Sequence, residues 1–492
     1  MKKQLLVLLL VCLPTVCSVF GQTYSTPDTG VTWTLDDIAT QSPSTITVSG
    51  STYTLMENLT ISGNDSIIID TDITLEIEAD LLITVFGTFT VSGNQVTMTA
   101  ANTATPYEGF RFEEFSTIDI QNATISYGGG LRVLTETFTI NNCTLTNNVA
   151  GATTGGVISL SRGTPQITNN TITFNFLPAI SSGATNLVSP YIFNNYIEGN
   201  NQGNSNRPQI NIGTTLVNDT LKIIQNTIKG DVALDQVGGI AVSNFVGGNI
   251  RAIIDDNVIT DNRYGLTVLG NNSFAYIRNN VIENNNTQNQ PNIGGSGISI
   301  NTSAPPMEVI ASGNAIRGNL WGITVIGQAS INLGDGVDNP GQNVFSENGN
   351  NGITYALYNN TSGPIMAMNN CWDETNTPNT LAAAEAVIVH LNDDASLGEV
   401  TFDPVDCNFL STQEHDVNAL NIYPNPNNGT LFFDNQLADF KQLRVFNIQG
   451  QLVLERSLNL EEHQINLPVN PGVYFVEFNG NNKKLVKKLI VK

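Results

Sequence analysis

The chain has 492 residues, with 20 Lys and Arg against 43 Asp and Glu and a formal net charge of −23 at pH 7. So acidic a surface stays soluble and excludes nucleic acid as a natural partner. It also disfavours a polyanionic glycan unless basic groups cluster or a divalent cation bridges.

Residues 1–21 hold two lysines, an apolar run from Leu5 to Val11 and small residues toward their end. That is the pattern of a secretory signal peptide, too short and wrongly flanked for a membrane span, and cleavage is expected after Gly21. No later run is long and apolar enough to cross a bilayer. Export removes two of the five cysteines and leaves Cys143, Cys371 and Cys407 in a compartment that permits disulfides. No Cys/His spacing fits zinc.

Residues 22–410 read as one solenoid. The first coils show alternating runs such as Ile73 to Ile77 and Leu82 to Val85, and residues 25–50, with Trp33, are the candidate first cap. From Asn170 onward one phrase recurs: Asn, any residue, Ile, any two residues, Asn. Its first residues are Asn170, Asn195, Asn226, Asn257, Asn280, Asn314, Asn343 and Asn370, which lie 25, 31, 31, 23, 34, 29 and 27 residues apart. A period in this range with uneven loops marks a solenoid. Aliphatics at Ile167, Ile192, Ile223, Ile254 and Ile277 precede the Asn, and a second alternating run follows a Gly at 239, 265, 297, 322 and 352. Such short strands bury a core only when units stack, at roughly 4.8 Å per coil. A buried corner then leaves amides in need of partners, and identical Asn side chains one coil apart can supply them. Asn also tolerates the left-handed backbone of a tight corner. At the equivalent place the early coils carry Ala123 and Cys143, and the thiol is expected to pack as a small buried group.

This repeat resembles the right-handed parallel β-helices of pectate lyases, polygalacturonases and many bacterial surface proteins, over roughly residues 45 to 410. The resemblance implies an all-β fold and leaves activity open, because the architecture hosts many functions. Leu381 to His390 is the one helix expected in the mature chain, and the segment that starts at Asn369-Asn-Cys-Trp372 resembles the closing cap of such proteins. Cys371 and Cys407 both fall there and are the candidate disulfide.

Residues 411–417 form a polar linker, and residues 418–492 a separate unit. Its alternating strands are split by Pro/Gly turns, as in Ile422-Tyr-Pro-Asn-Pro-Asn-Asn-Gly429 and Pro471-Gly-Val-Tyr-Phe-Val476, which suits a small β-sandwich. These motifs resemble the type A C-terminal sorting domain of the type IX secretion system of Bacteroidota. The resemblance implies that the secretion machinery is a partner and that the passenger ends up released or attached to the outer surface of the outer membrane.

Stacking in register makes each row of side chains readable. Three residues after the ladder Asn, Glu198 neighbours Lys229 and Glu283 neighbours Arg317, which reads as charge pairing on a solvated face. Before the ladder Asn, Tyr191, Phe193, Lys222, Asp255, Tyr276 and Arg278 alternate with the buried Ile residues and must face outward together. Rings mixed with charges on a flat sheet are the candidate carbohydrate-binding face. A lyase or hydrolase on that face would draw on Asp255, Arg278 and Lys229, although no Gly-His-Gly or Arg-Ile-Lys motif accompanies them. A structural or adhesive spacer is the third alternative. Gly334-Asp-Gly-Val-Asp-Asn339 is a candidate Ca²⁺ loop, or else a polar turn between coils, and no other cofactor is implied. A Thr/Ser rank is expected at Thr267, Ser299, Thr324 and Thr354.

Overall fold

The computed structural model describes residues 23–374, 380–408, 422–433, 440–458, 464–480 and 484–492. The expected signal peptide and linker lie outside them. The chain forms two compact units, 1–407 and 408–492.

The first unit is a right-handed parallel β-helix of three stacked sheets, with 14, 14 and 13 strands among the described residues. One coil runs from Ile240–Ser243 on the first sheet through Ile250–Asp255 on the second to Val258–Thr260 on the third. Pairing is in register, so Ile223, Ile254 and Ile277 stack directly, each fully buried. Alternation places the intervening residues on the outer face, as the period of two requires.

The corner between the second and third sheets explains the Asn phrase. Each ladder Asn from Asn170 to Asn343 donates its side-chain N–H to the next Asn Oδ1 at 2.8 to 3.0 Å. Its backbone N–H reaches the same oxygen at 2.8 to 3.1 Å. A second amide proton returns to a carbonyl of the preceding coil, as from Asn257 to Ile223 at 2.8 Å. The left-handed residue is not the ladder Asn itself but the one before it: Asn194, Gln225, Asp256 and Asn279 all have φ between 53° and 58°. The corner therefore divides the work, with an exposed residue bending the chain and a buried amide closing it.

Five residues on, a second ladder links Asn148, Asn175 and Asn200, then Asn262, Asn285, Asn319 and Asn348. Asp231 occupies the missing place in sequence, but a buried carboxylate there would face acceptors. Gln209 fills the gap from a loop, accepting from the Asn200 backbone N–H at 3.1 Å and donating to Asn262 at 3.0 Å.

The third sheet changes character along its length. One outward rank of its first seven strands is Ser49, Thr52, Thr74, Thr97, Thr124, Thr144 and Thr171, each paired to the next. After it come ion pairs, Lys229 with Glu198 at 2.8 Å and Arg317 with Glu283 at 2.9 Å and Glu374 at 2.8 Å.

Three expectations need correction. Helix α1 (Leu35–Gln41) stands in the first cap, where none was expected, closed by a Thr34–Asp37 capping box and burying Leu35 and Ile38. Helix α2 (Leu381–Glu385) stops after five residues, because Ile388–Val389 leaves it to pair with Leu357 and Tyr358 on the first sheet. The run after Gly352 is likewise not a stacked strand. Gly349–Asn350 and Ile353–Thr354 form a small hairpin with Gly352 at φ 79°, and Leu357–Thr361 takes the place in the sheet. A disulfide joins Cys371 to Cys407 at the closing end.

Among its described residues, the second unit holds a three-stranded and a four-stranded antiparallel sheet. Its core includes Leu431, Leu443, Val445, Val476, Phe478 and Leu489.

Candidate functional site

The residues expected on one outward face are on one face. Tyr191, Lys222, Ile253 and Tyr276 share a rank on the second sheet, and Phe193, Ile224, Asp255 and Arg278 share the next. Tyr276 is 48% exposed. The rings of Tyr191 and Phe193 lie 5.4 Å apart and nearly parallel. Asp255 accepts from Arg278 at 2.7 Å and from Asn279 at 3.0 Å. Lys229 does not join them. It stands on the third sheet against Glu198, whose hydrogen bond pushes the ammonium pKa up, the wrong direction for a base. The three catalytic candidates thus do not form one constellation.

The candidate Ca²⁺ loop is a turn folded around its own aspartate. Asp335 accepts the backbone N–H groups of Val337, Asp338 and Asn339 at 2.8 to 2.9 Å and the Asn332 amide at 2.7 Å. These donors hold its carboxyl well below the usual range. No group of three or more His, Cys, Asp or Glu side chains suited to a metal occurs among the described residues.

A concave site lies on the first sheet. A cleft of about 700 Å³ opens over the rank Thr267, Ser299, Thr324 and Tyr358, which are paired strand to strand. Tyr358 thus takes the fourth place that sequence spacing gave to Thr354. Its wall is the loop Pro291–Gly294 with Trp321 and Tyr264. Trp321 is packed against Tyr355 at 4.5 Å and Tyr358 at 5.6 Å, and its indole N–H donates to the Pro291 carbonyl at 2.9 Å. Arg263, buried beneath, fastens the same loop through the Ile293 carbonyl at 2.7 Å and Gln288 at 2.6 Å. On the floor, Thr267 donates to the Ser299 carbonyl at 3.0 Å, and the Ser296 and Thr324 hydroxyls lie 3.0 Å apart. Every lining side chain is aromatic, aliphatic, hydroxyl or amide, and none carries a formal charge. Sequence reasoning missed Trp321, Tyr264 and Tyr358, whose convergence depends on a loop wall and on register across coils. The Thr/Ser rank was the one visible trace of the floor.

Comparison with known proteins bears on both units. Residues 421–492 match the secretion system C-terminal sorting domain, and residues 271–380 match a protein family of unknown function, DUF1565. No curated protein matches the chain. Among solved structures, two of the periplasmic alginate epimerase AlgG resemble it, one of them a point mutant. The mutant has a TM-score of 0.38 at 13% identity, covering 75% of this chain and 83% of its own. The other has 0.35 at 13%, covering 76% and 82%. At that distance the likeness says nothing about chemistry. The C-terminal unit is a type IX sorting domain, and it directs the chain to the cell surface or the extracellular space.

Proposed function

For a β-helix exported in this way, we propose binding of a neutral saccharide chain in the cleft of the first sheet. The observation that carries this reading is the pairing of an aromatic wall with a hydroxyl floor that lacks charged groups. Aromatic faces at Trp321 and Tyr358 suit the apolar face of a sugar ring, and the Thr and Ser hydroxyls suit its edge. Acid–base cleavage needs an ionisable pair placed at the bond, and the lining offers no such pair. A uronate polymer would enter a strongly acidic protein through a site with no cation to meet it. On the outward face at Tyr191 and Tyr276 the Asp255 carboxylate and the Arg278 guanidinium already pair with one another, so it ranks behind the cleft.

Calorimetry with neutral and uronate oligosaccharides tests the proposal on the full chain. Neutral ligands should bind, and Trp321→Ala should weaken them about tenfold or more, roughly 1.4 kcal/mol. Equal affinity in the variant would move the site elsewhere, and a preference for uronates would overturn the neutral assignment.

A further inference from the structure

The third sheet carries a second, independent surface. Beside the rank led by Ser49 runs another, two residues along each strand: Thr47, Thr54, Glu76, Thr99, Ser126, Thr146 and Thr173. Thirteen of the fourteen outward positions on these seven strands are therefore Ser or Thr, and Glu76 is the exception. We infer that this array is an ice-binding face, a surface that adsorbs to crystalline water.

Chance composition does not explain the arrangement. The spacing between successive threonines of the first rank varies from 20 to 27 residues, yet each lands opposite the last. The hydroxyls of Thr52, Thr74, Thr97, Thr124, Thr144 and Thr171 make no hydrogen bond to any described residue, so their donors and acceptors face solvent. Within the second rank only Ser126 to Thr99 at 2.9 Å and Thr173 to Thr146 at 3.5 Å are linked. Most of these side chains are half-buried by their neighbours, while Thr47 and Ser49 are exposed and Ser126 is buried.

Geometry selects the occupant. Coils repeat at about 4.8 Å, and residues i and i+2 of one strand stand about 6.8 Å apart. In tetrahedrally bonded water with O···O contacts of about 2.75 Å, second neighbours lie about 4.5 Å apart and the repeat across the puckered layers is about 7.3 Å. The two nets agree to about half an ångström per step or better, within the play of a rotating hydroxyl. Six strand steps, the first across the antiparallel hairpin from Ser49 to Thr52, make the array roughly 29 Å long. Threonine adds a methyl beside each hydroxyl, so a face of this kind orders water without binding any one molecule tightly. A crystalline polysaccharide is the less favoured occupant, because neither rank has an aromatic ring to stack on sugars. The array ends where Tyr196 and Glu198 follow Thr171 and Thr173 and the ion-paired strands begin.

The test uses the labelled full chain on single ice crystals, with adsorption measured by fluorescence and crystal shape followed near the melting point. The parent should adsorb and produce faceted crystals. The double variant Thr97→Lys with Thr124→Lys, in mid-array, should lower adsorption about tenfold at equal concentration, as loss of central contacts does. Thr227→Lys, on the same sheet beyond the array, should adsorb like the parent. If the lysine pair fails to fold, Thr97→Val with Thr124→Val keeps shape and strand propensity and should still cut adsorption several-fold. An unshaped, undecorated crystal with the parent overturns the proposal. So does equal adsorption by the folded double variant, or retention on microcrystalline chitin without retention on ice.

Discussion

The leading coils and the Asn-laddered coils have the same fold and solve its corner differently. Between Phe89 and Phe138 the core is filled by rings, with Phe89, Phe110, Phe112, Phe138 and Tyr107 in contact at 5.9 to 6.0 Å. From Ile167 onward it is filled by stacked isoleucines, and the corner is closed by amides. Volume can be supplied by many side chains, provided the total is kept. A buried amide is less forgiving, since its unpaired atoms keep their full desolvation cost. Each ladder Asn therefore needs another in the next coil, and the repeat becomes strict where the ladder begins.

The sharpest way to break that contrast is to cut the ladder at its middle. Asn257→Ala removes the acceptor for both the backbone and side-chain N–H of Asn226, and the donor to the Ile223 carbonyl. We expect a loss of about 3 kcal/mol, as for several buried groups left unpaired at once. Chemical denaturation should show it, with hydrogen exchange rising first at the corners on either side. The matching change in the leading coils, Ala123→Gly, removes no side-chain hydrogen bond and should cost about 1 kcal/mol or less, as for glycine in a strand. Similar losses in the two would show that the amides add nothing beyond packing.

The ladder was legible because it demands one residue type at one place in every coil, and the isoleucine rows were legible because alternation has a fixed period. The sorting tail was legible through its motifs. Gln209 was not, since it enters the ladder from a loop nine residues after Asn200. The hairpin at Gly352 carries the same Gly-Ile-Thr pattern as true strands, and the pattern cannot say whether the next coil lies beside it. Tyr358 and Trp321 meet because Leu357–Thr361, and not the hairpin, pairs with Trp321–Gly327. The threonine ranks escaped notice because uneven loops hide a register that exists only in space.

The leading end offers a second test, because it is closed by a carboxylate. Asp65 is buried and accepts backbone N–H groups from Asp28, Thr29, Gly30 and Val31 at 2.8 to 3.1 Å. Burial pushes its pKa up, but the Thr26 hydroxyl and these amides outweigh burial and hold it at about 2, against an ordinary 3.8. A depressed carboxyl stabilises the fold above its unfolded pKa, so the contribution is complete above about pH 4 and disappears as pH falls toward 2. Asp65→Ala should cost about 2 kcal/mol at neutral pH, and the gap to the parent should close through that window. Amide exchange near residues 28–31 is the readout. A gap that persists at pH 2 would mean that packing, not the charge, closes this end.

The smallest effect bears on the boundary between the two regions. Cys143 stands at the ladder position one coil before Asn170, and its thiol imitates the amide. The sulfur accepts the Ala123 backbone N–H at 3.4 Å and donates to the Ile120 carbonyl at 3.6 Å, while the Cys143 N–H already reaches Asn170 Oδ1 at 2.9 Å. Burial pushes the thiol up to about 11, so it keeps its proton and its donor role. Cys143→Asn would replace the weak sulfur contacts by amide hydrogen bonds and give Asn170 a further side-chain donor. Asparagine is larger, but the corner it would enter is built to hold one in the next eight coils. The expected outcome is a gain of about 1 kcal/mol in thermal or denaturant unfolding, with no change in fold. A loss of stability would show that the leading coils are too tightly packed around their rings to accept a ladder residue, and that Ala123 and Cys143 mark a difference in corner shape and not merely in corner chemistry.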